Sequence, residues 1–508
     1  MKSLRQYLLY VTAATLWIAV GVILPDFLDN PITGLQGILT IAIYVVALSI
    51  ISFLILYITS LNKYIATVFI PLYGLLGATT AYYRILYHVT ITPLILDCIF
   101  HTNIEEAIGV ISWPLLLWGL FNILIGIAFI LWRWKISSPR PILVHALVAI
   151  CLMIGYYNFN SRLHQSINQR YPMHLVKSLQ QYLWVQDQRQ KPHTIPQYSV
   201  IQKTDTLNIV VVIGESARAD HLSINGYKKP TTPLLQKRPN VISLSNIYSE
   251  QTHTLASLPI LLTRADSLHP EYQFTETSFA AILRKEGFYT AWISNQDLGE
   301  TFATFPSECD TTVWVNAGKS VFVFSGWYDQ ELLPKMDEQL KLGYDKNLFI
   351  IHMIGSHWYY NNHVPDSLHY FSPVTCNRVV TSNTPEQIIN SYDNTIRYTD
   401  LILDSIIQRI DDQCAILVYI SDHGESLGEN GYWLHAAGAE ETKKPACIIW
   451  YSEGFEKQYP QKIAALKKNQ QKHYRTDFLF HSILSIADIK IEDKTSQKLN
   501  VFTNLSNE

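Results

Sequence analysis

The sequence predicts a two-part chain: an N-terminal transmembrane domain of five helices, then an α/β domain with a mainly parallel central sheet. Two observations carry this reading. Five apolar stretches fill the first ~160 residues. Beyond them, β-branched runs alternate with helical segments, and four of the runs end on polar clusters. Leu207–Ile213 ends on Glu215, Phe288–Ile293 on Asn295, Leu348–Ile351 on His357, and Cys414–Ile420 on Asp422-His423. In an open parallel sheet, ligands bind beyond the carboxyl ends of the strands, so four such ends predict one site.

The apolar segments can be placed by length, since about 20 residues cross the hydrocarbon core. They fall at about Tyr7–Leu24, Gly37–Leu61, Ile65–Tyr83, Ile111–Leu131 and Pro141–Tyr157. The first reads as a span rather than a removable signal peptide, because no small-residue cleavage site precedes the next span. Composition agrees: 48% of the 508 residues are hydrophobic and only 16% charged, low for a wholly soluble protein. The 30 Tyr, 12 Trp and 20 Phe suit membrane interfaces. A net charge of −3 gives no reason to expect a nucleic-acid partner.

Orientation follows from the basic loops. Lys2 and Arg5 precede the first span, Lys63 lies between the second and third, and Arg133, Lys135 and Arg140 lie between the fourth and fifth. All fall on one side if the N-terminus is cytoplasmic, with Arg84 as a mild exception. Five spans then carry the C-terminal part outside. The segment at about 84–110 is too polar to span, yet contains the apolar Leu94–Phe100, so it is expected at the outer interface. The domain reading is residues 1–160 in the membrane, 161–205 as a bridge, and 206–508 as the extracytoplasmic head. Within the bridge, Leu175, Leu179, Tyr182 and Leu183 recur at helical spacing. In the head, Val241–Ile247 and Ala446–Tyr451 read as further strands. Helices are expected at Phe279–Glu286, Pro385–Ile407 and Arg475–Ala487.

The candidate chemistry lies in a few short stretches. Gly214-Glu215-Ser216-Ala217-Arg218 follows a buried strand, where a carboxylate is held firmly enough to ligate a metal; a helix N-cap is the plain alternative. Ser421-Asp422-His423-Gly424-Glu425 offers an oxygen and a nitrogen ligand, a mixture zinc accepts; a structural Asp–His hydrogen bond is the alternative. In Thr252-His253-Thr254-Leu255, Thr254 opens a helix whose N-terminus would favour phosphate. It is either a metal-activated nucleophile or an ordinary N-cap. His357 and His435 are candidates for a second metal, a general acid or a phosphate donor. Glu106, in the interfacial segment, could meet an amine head group or be simply solvated.

Taken together, Gly214–Tyr227 (GESARADHLSINGY), Thr252–Pro259 and Ser421–Gly431 (SDHGESLGENG), behind five spans, resemble the membrane phosphoethanolamine transferases of Gram-negative bacteria. That family includes lipid A enzymes and mobile colistin-resistance enzymes. The resemblance extends over nearly the whole chain, including Thr102–Ala107 and Tyr392-Asp393-Asn394-Thr395. It implies an alkaline-phosphatase/sulfatase-like head in the periplasm of an inner-membrane protein, working as a monomer. By motif position it implies Zn²⁺ held by Glu215, Thr254, Asp422 and His423, with a second ion possible. Thr254 would be the nucleophile that carries phosphoethanolamine from phosphatidylethanolamine to a glycolipid, lipid A first among the candidates. His357 and His435 would bind the phosphate or the second zinc. Asn295 loosely matches a phosphate-contacting amide, and Glu106 a carboxylate on the lipid-facing side. Added amines would lower acceptor charge and so weaken binding of cationic peptides such as polymyxins.

The chain departs from the family in its cysteines. The loop after Asn295 lacks the usual close pair and Cys376 lacks a near partner, so fewer disulfides are expected. Cys414 and Cys447 fall in predicted core strands, where buried thiols are an alternative to bridges. Sulfatases proper place Arg four residues after the modified Cys or Ser; Ser257-Leu258-Pro259 is followed instead by Leu261 at that position. Two further readings share the architecture: a glycerol-phosphate transferase of the lipoteichoic-acid-synthase type, and a degenerate envelope lipid sensor. The Gly-Glu-Ser-Ala-Arg and Gly-Glu-Asn-Gly motifs favour phosphoethanolamine transfer over the first. The complete set of ligand types favours an enzyme over the second.

Overall fold

The computed structural model describes residues 2–27, 34–87, 89, 91–101, 110–159, 170–189, 191–202, 205–296, 304–315, 326–435, 437–492 and 499–503. The chain folds as two compact units, Met1–Asp97 with Ile111–Val185, and Cys98–Val110 with Gln186–Glu508.

In the first unit, four helices among the described residues are long and apolar enough to cross a membrane: Ser3–Ile23, Ile41–Ser60, Lys63–Tyr87 and Trp113–Trp134. A fifth helix, Ile142–Phe159, holds a shorter apolar stretch over Ile142–Gly155. Small residues let these helices approach closely. A Cβ on Gly126 would stand 3.1 Å from Pro71 Cα, and one on Gly74 would overlap the Trp17 ring. Trp17 in turn donates through Nε1 to Asn122 Oδ1 at 3.1 Å, which pairs a polar group that the membrane core would leave unsolvated. Arg133 shows why a basic residue belongs at one end of the bundle. The last carbonyls of a helix have no intrahelical donor, and Arg133 supplies one to Ser60 O (2.7 Å) and to Leu61 O (3.3 Å). The helix expected in the bridge runs over Met173–Arg189. Just before it, Tyr171 is buried and donates to Tyr73 O at 2.6 Å.

The head contains β1 (Tyr198–Val200), β2 (Leu207–Gly214), β3 (Val241–Ser243), β4 (Ile247–Tyr248), β5 (Tyr289–Ser294), β6 (Thr311–Trp314) and β7 (Lys346–His352). It continues with β8 (Ala415–Ser421), β9 (Ser426–Leu427), β10 (Trp433–Leu434), β11 (Cys447–Tyr451), β12 (Tyr474–Arg475) and β13 (Ile489–Ile491). Seven form the central sheet in the order β3-β11-β8-β2-β7-β5-β6. β8, β2, β7, β5 and β6 run parallel, and β11 runs antiparallel to both β8 and β3. β2 and β8 are buried at every position. Burial on both faces explains why their sequences read as continuous apolar runs rather than alternating ones.

Two expected elements are rearranged. Val241–Ile247 is not one strand: Val241–Ser243 joins the central sheet, while Ile247–Tyr248 pairs in parallel with Tyr474–Arg475. The same pairing takes Arg475 out of the expected terminal helix, which runs over Phe478–Ile486. Pro385–Ile407 is a helix as expected, opened by a capping box between Thr384 and Gln387 with proline in the first turn. The head cysteines Cys309, Cys376, Cys414 and Cys447 are all free thiols, in line with the expected scarcity of bridges.

Candidate metal centre

Glu215 and Asp422 are the residues that follow the last residues of β2 and β8, and these strands are neighbours in a register that pairs Gly214 with Ser421. The two carboxylates therefore emerge side by side. The backbone beyond the strands stays coupled: Asp422 N donates to Gly214 O at 3.1 Å, Ser216 N to Asp422 Oδ1 at 3.2 Å, and Ala217 N to Ser421 Oγ at 2.8 Å. His423 closes the group. Its Nε2 lies 3.3 Å from Glu215 Oε1 and 3.3 Å from Asp422 Oδ2. All three side chains are fully buried, and one ligand atom from each lies within 4.8 Å of the others.

The donor set fits a cation. His423 Nδ1 lies 2.7 Å from Gly424 O. A carbonyl can only accept, so Nδ1 carries the proton and Nε2 is directed at the carboxylates, the tautomer a metal ligand needs. Asp422 Oδ2 and His423 Nε2 are buried without a hydrogen-bond partner, which marks groups organised for a ligand. The charges agree. Burial opposes charge on His423, yet Asp422 and Glu215 outweigh it and raise its pKa to about 10. Burial and the neighbouring Glu215 together raise Asp422 to about 7. Glu215 resists burial through His423 and is held well below the usual carboxylate range. The pocket thus retains one positive charge, a proton when no metal is bound.

Thr254 joins this cluster as the first residue of the helix Thr254–Leu262. Its Oγ1 donates to Glu215 Oε2 at 2.8 Å. The residue that caps this helix is His253, so Thr254 is not an N-cap. His435 is brought to the same place, its ring centroid 4.6 Å from that of His423 and its Nδ1 3.4 Å from Glu425 Oε1. His357 lies beyond it, 6.4 Å from the His435 ring, with Nδ1 donating to Trp358 O at 2.7 Å.

Asn295 follows the last residue of β5. It is buried, donates to Asp329 Oδ1 at 2.9 Å and accepts from Trp327 Nε1 at 2.8 Å. The amide that reaches the cluster is its neighbour Gln296, 3.3 Å from Glu215 Oε2 and 2.8 Å from Met353 O. Glu106 lies outside the described residues. Three site residues had no assigned role from sequence: Gln296, His253 and Glu425, the last buried with neither carboxylate oxygen hydrogen-bonded. Only Glu425 carried a signal, its place inside the Gly424–Gly428 motif. Arg218 ties the two motifs together, donating to Asp220 Oδ1 at 2.9 Å and to Glu425 O at 3.2 Å, and pairing with Glu429 at 2.5 Å.

The loop after β7 is fitted against Glu215. Asp329 accepts from Ile354 N and Gly355 N, each at 2.9 Å, and Ser356 N donates to Glu215 O at 3.0 Å. Gly355 has φ +51°, and a Cβ there would meet Glu215 N at 2.9 Å. Gly355→Ala is therefore expected to cost about 1–2 kcal/mol in backbone strain alone. By displacing Glu215, it should also lower turnover about 10²-fold. Thermal melting and steady-state rates check this; a variant with wild-type turnover would show that the close approach is dispensable.

The fold and its buried acid–imidazole cluster define a sulfatase-like head, and residues 207–489, more than half of the chain, match the Sulfatase family model. Residues 45–162 match the model described as phosphoethanolamine transferase EptA/EptB. Phosphoethanolamine transferase EptA of Escherichia coli K12 is 27% identical over 91% of this chain and 89% of its own. The integral membrane lipooligosaccharide phosphoethanolamine transferase A of Neisseria meningitidis superposes with a TM-score of 0.79 at 22% identity, covering 97% of each chain. The C-terminal periplasmic domain of Escherichia coli EptC, solved in complex with Zn, superposes with a TM-score of 0.55 at 23% identity, covering 62% of this chain and 92% of that one. The chain belongs to the sulfatase family, and its membrane part is similar to the phosphoethanolamine transferases EptA and EptB.

Proposed function

We propose that this membrane protein transfers phosphoethanolamine from phosphatidylethanolamine to the phosphate of a glycolipid, lipid A, through a covalent intermediate on Thr254. The observation that carries the reading is the Thr254 hydroxyl, hydrogen-bonded to one of two carboxylates that share a buried site with an imidazole. Glu215, Thr254, Asp422 and His423 would hold one tightly bound zinc ion. Bound there, zinc lowers the pKa of a ligating hydroxyl and neutralises charge that develops on a phosphoryl group. The zinc in the EptC domain and the orphaned ligand atoms here support this choice of metal.

In the first half-reaction, Thr254 Oγ1 would pass its proton to Glu215 Oε2, which accepts its hydrogen bond, and bond to phosphorus as the bond from phosphorus to the diacylglycerol oxygen breaks. His357 and His435 would protonate that oxygen and hold the phosphate; they and Glu425 would also serve a second ion. In the second half-reaction, a phosphate oxygen of the acceptor bonds to phosphorus and the bond to Thr254 Oγ1 breaks. The helix N-terminus at Thr254 favours the anionic group throughout. Asn295 would act at one remove, by holding Asp329 and hence the loop that carries His357. Glu106 would meet the amine of the donor.

Residues 1–160 would anchor the protein in the inner membrane, 161–205 bridge, and 206–508 act in the periplasm as part of a monomer. The names of the E. coli and N. meningitidis relatives support the transferred group and a lipooligosaccharide-type acceptor. Expression in a host lacking its own transferases should add phosphoethanolamine to lipid A, read by lipid A mass spectrometry. Unmodified lipid A with a tagged core sugar would move the acceptor; glycerol-phosphate products would replace the reading.

A further inference from the structure

A fourth imidazole, His253, stands next to the nucleophile in sequence. His253 is extended (φ −146°, ψ 143°) and caps the helix that Thr254 opens. The residue is only 6% exposed. Its Nδ1 lies 3.0 Å from Thr252 Oγ1, whereas Nε2 is buried with no hydrogen-bond partner. The ring stands edge-on to His435, with centroids 5.4 Å apart, and the His435 ring lies 4.6 Å from His423. An unpaired buried polar atom costs about 1–3 kcal/mol, and a folded protein tolerates one where a ligand completes it. The helix N-terminus beside it independently favours an anion.

We propose that His253 is a catalytic residue whose Nε2–H hydrogen-bonds a non-bridging oxygen of the phosphoryl group as it is transferred to and from Thr254. Thr252 fixes the tautomer by donating its hydroxyl proton to Nδ1, which leaves the remaining imidazole proton on Nε2. The contact forms only once phosphorus is near Thr254, so it acts on turnover rather than on binding of the donor. This inference rests on the covalent reading of Thr254.

The test uses the full chain in detergent, loaded with zinc, and phosphatidylethanolamine carrying a fluorescent acyl chain. Release of labelled diacylglycerol gives kcat and KM, and intact-protein mass gives the adduct on Thr254. His253→Asn retains a group facing Thr252 but nothing at Nε2; His253→Gln puts an amide N–H near the Nε2 position. His253→Asn should lower kcat about 10²-fold with KM changed less than about threefold, and His253→Gln should recover at least about tenfold of that loss. Equal zinc content in both variants is expected. The proposal is overturned if His253→Asn turns over within about twofold of wild type, if His253→Gln is no better than His253→Asn, or if the loss follows lost zinc. Thr254→Ala separates the two claims. If it is inactive while His253→Asn matches wild type, only the His253 assignment fails. If it still turns over, the covalent reading fails and this inference with it.

Discussion

Thr254→Ala should abolish phosphoethanolamine tagging of lipid A while the protein still accumulates in the membrane. Loss of a nucleophile that acts with its partners as a unit lowers turnover on the order of 10⁴–10⁶-fold. The structural cost is small by comparison. Thr254 contributes one hydrogen bond to Glu215 and does not occupy the N-cap position of the helix it begins. A single such bond is worth about 1 kcal/mol, with somewhat more for a charged partner. Thr254→Ser, which keeps the hydroxyl, should retain part of the activity. The measurement is lipid A mass spectrometry on cells with matched protein levels. Unchanged tagging in the alanine variant would remove Thr254 from the chemistry and leave it as a second-rank support of Glu215.

The second large effect concerns the metal. Asp422→Ala should lose zinc, with affinity falling by more than the roughly 10–100-fold that loss of an outer-shell partner costs. A pH dependence accompanies it. Without metal, His423 holds a proton up to about pH 10, because Asp422 and Glu215 outweigh the burial that opposes its charge. Zinc needs the neutral imidazole, so binding must expel that proton. Lower pH favours the protonated, metal-free site, so apparent zinc affinity should weaken by about tenfold per unit as pH falls from 8 towards 7, and more steeply below 7, where Asp422 also takes up a proton that zinc must expel. Calorimetry in buffers of different ionisation enthalpy would count the proton released. No release, or an affinity flat with pH, would contradict the charge balance described for this cluster.

The main features of this site could be read from sequence because they are local. Glu215 and Asp422-His423 each follow a continuous apolar run, and runs of that kind become central parallel strands whose ends converge. The adjacency of β2 and β8 was the only tertiary fact needed to make them one cluster. What could not be read depends on partners far along the chain. Val241–Ile247 looks like one strand until Tyr474–Arg475 arrives to pair with its last residue and the next. Asn295 and Gln296 follow β5 in turn, and it is the distant Asp329 and Trp327 that engage the first of them. His253 stands between two threonines in sequence, and its ring contact with His435, far along the chain, is what relates it to the pocket. The glycine at 355 was likewise unremarked, since the backbone it must admit belongs to Glu215.

The four free thiols of the head bear on how the protein matures. A small secreted domain often relies on cross-links to limit its unfolded state. Here the described part of the head holds together through its seven-stranded sheet and flanking helices, with those cysteines unjoined. The described part of the head therefore calls for no bond among these four thiols, and a reductant finds none among them to cleave.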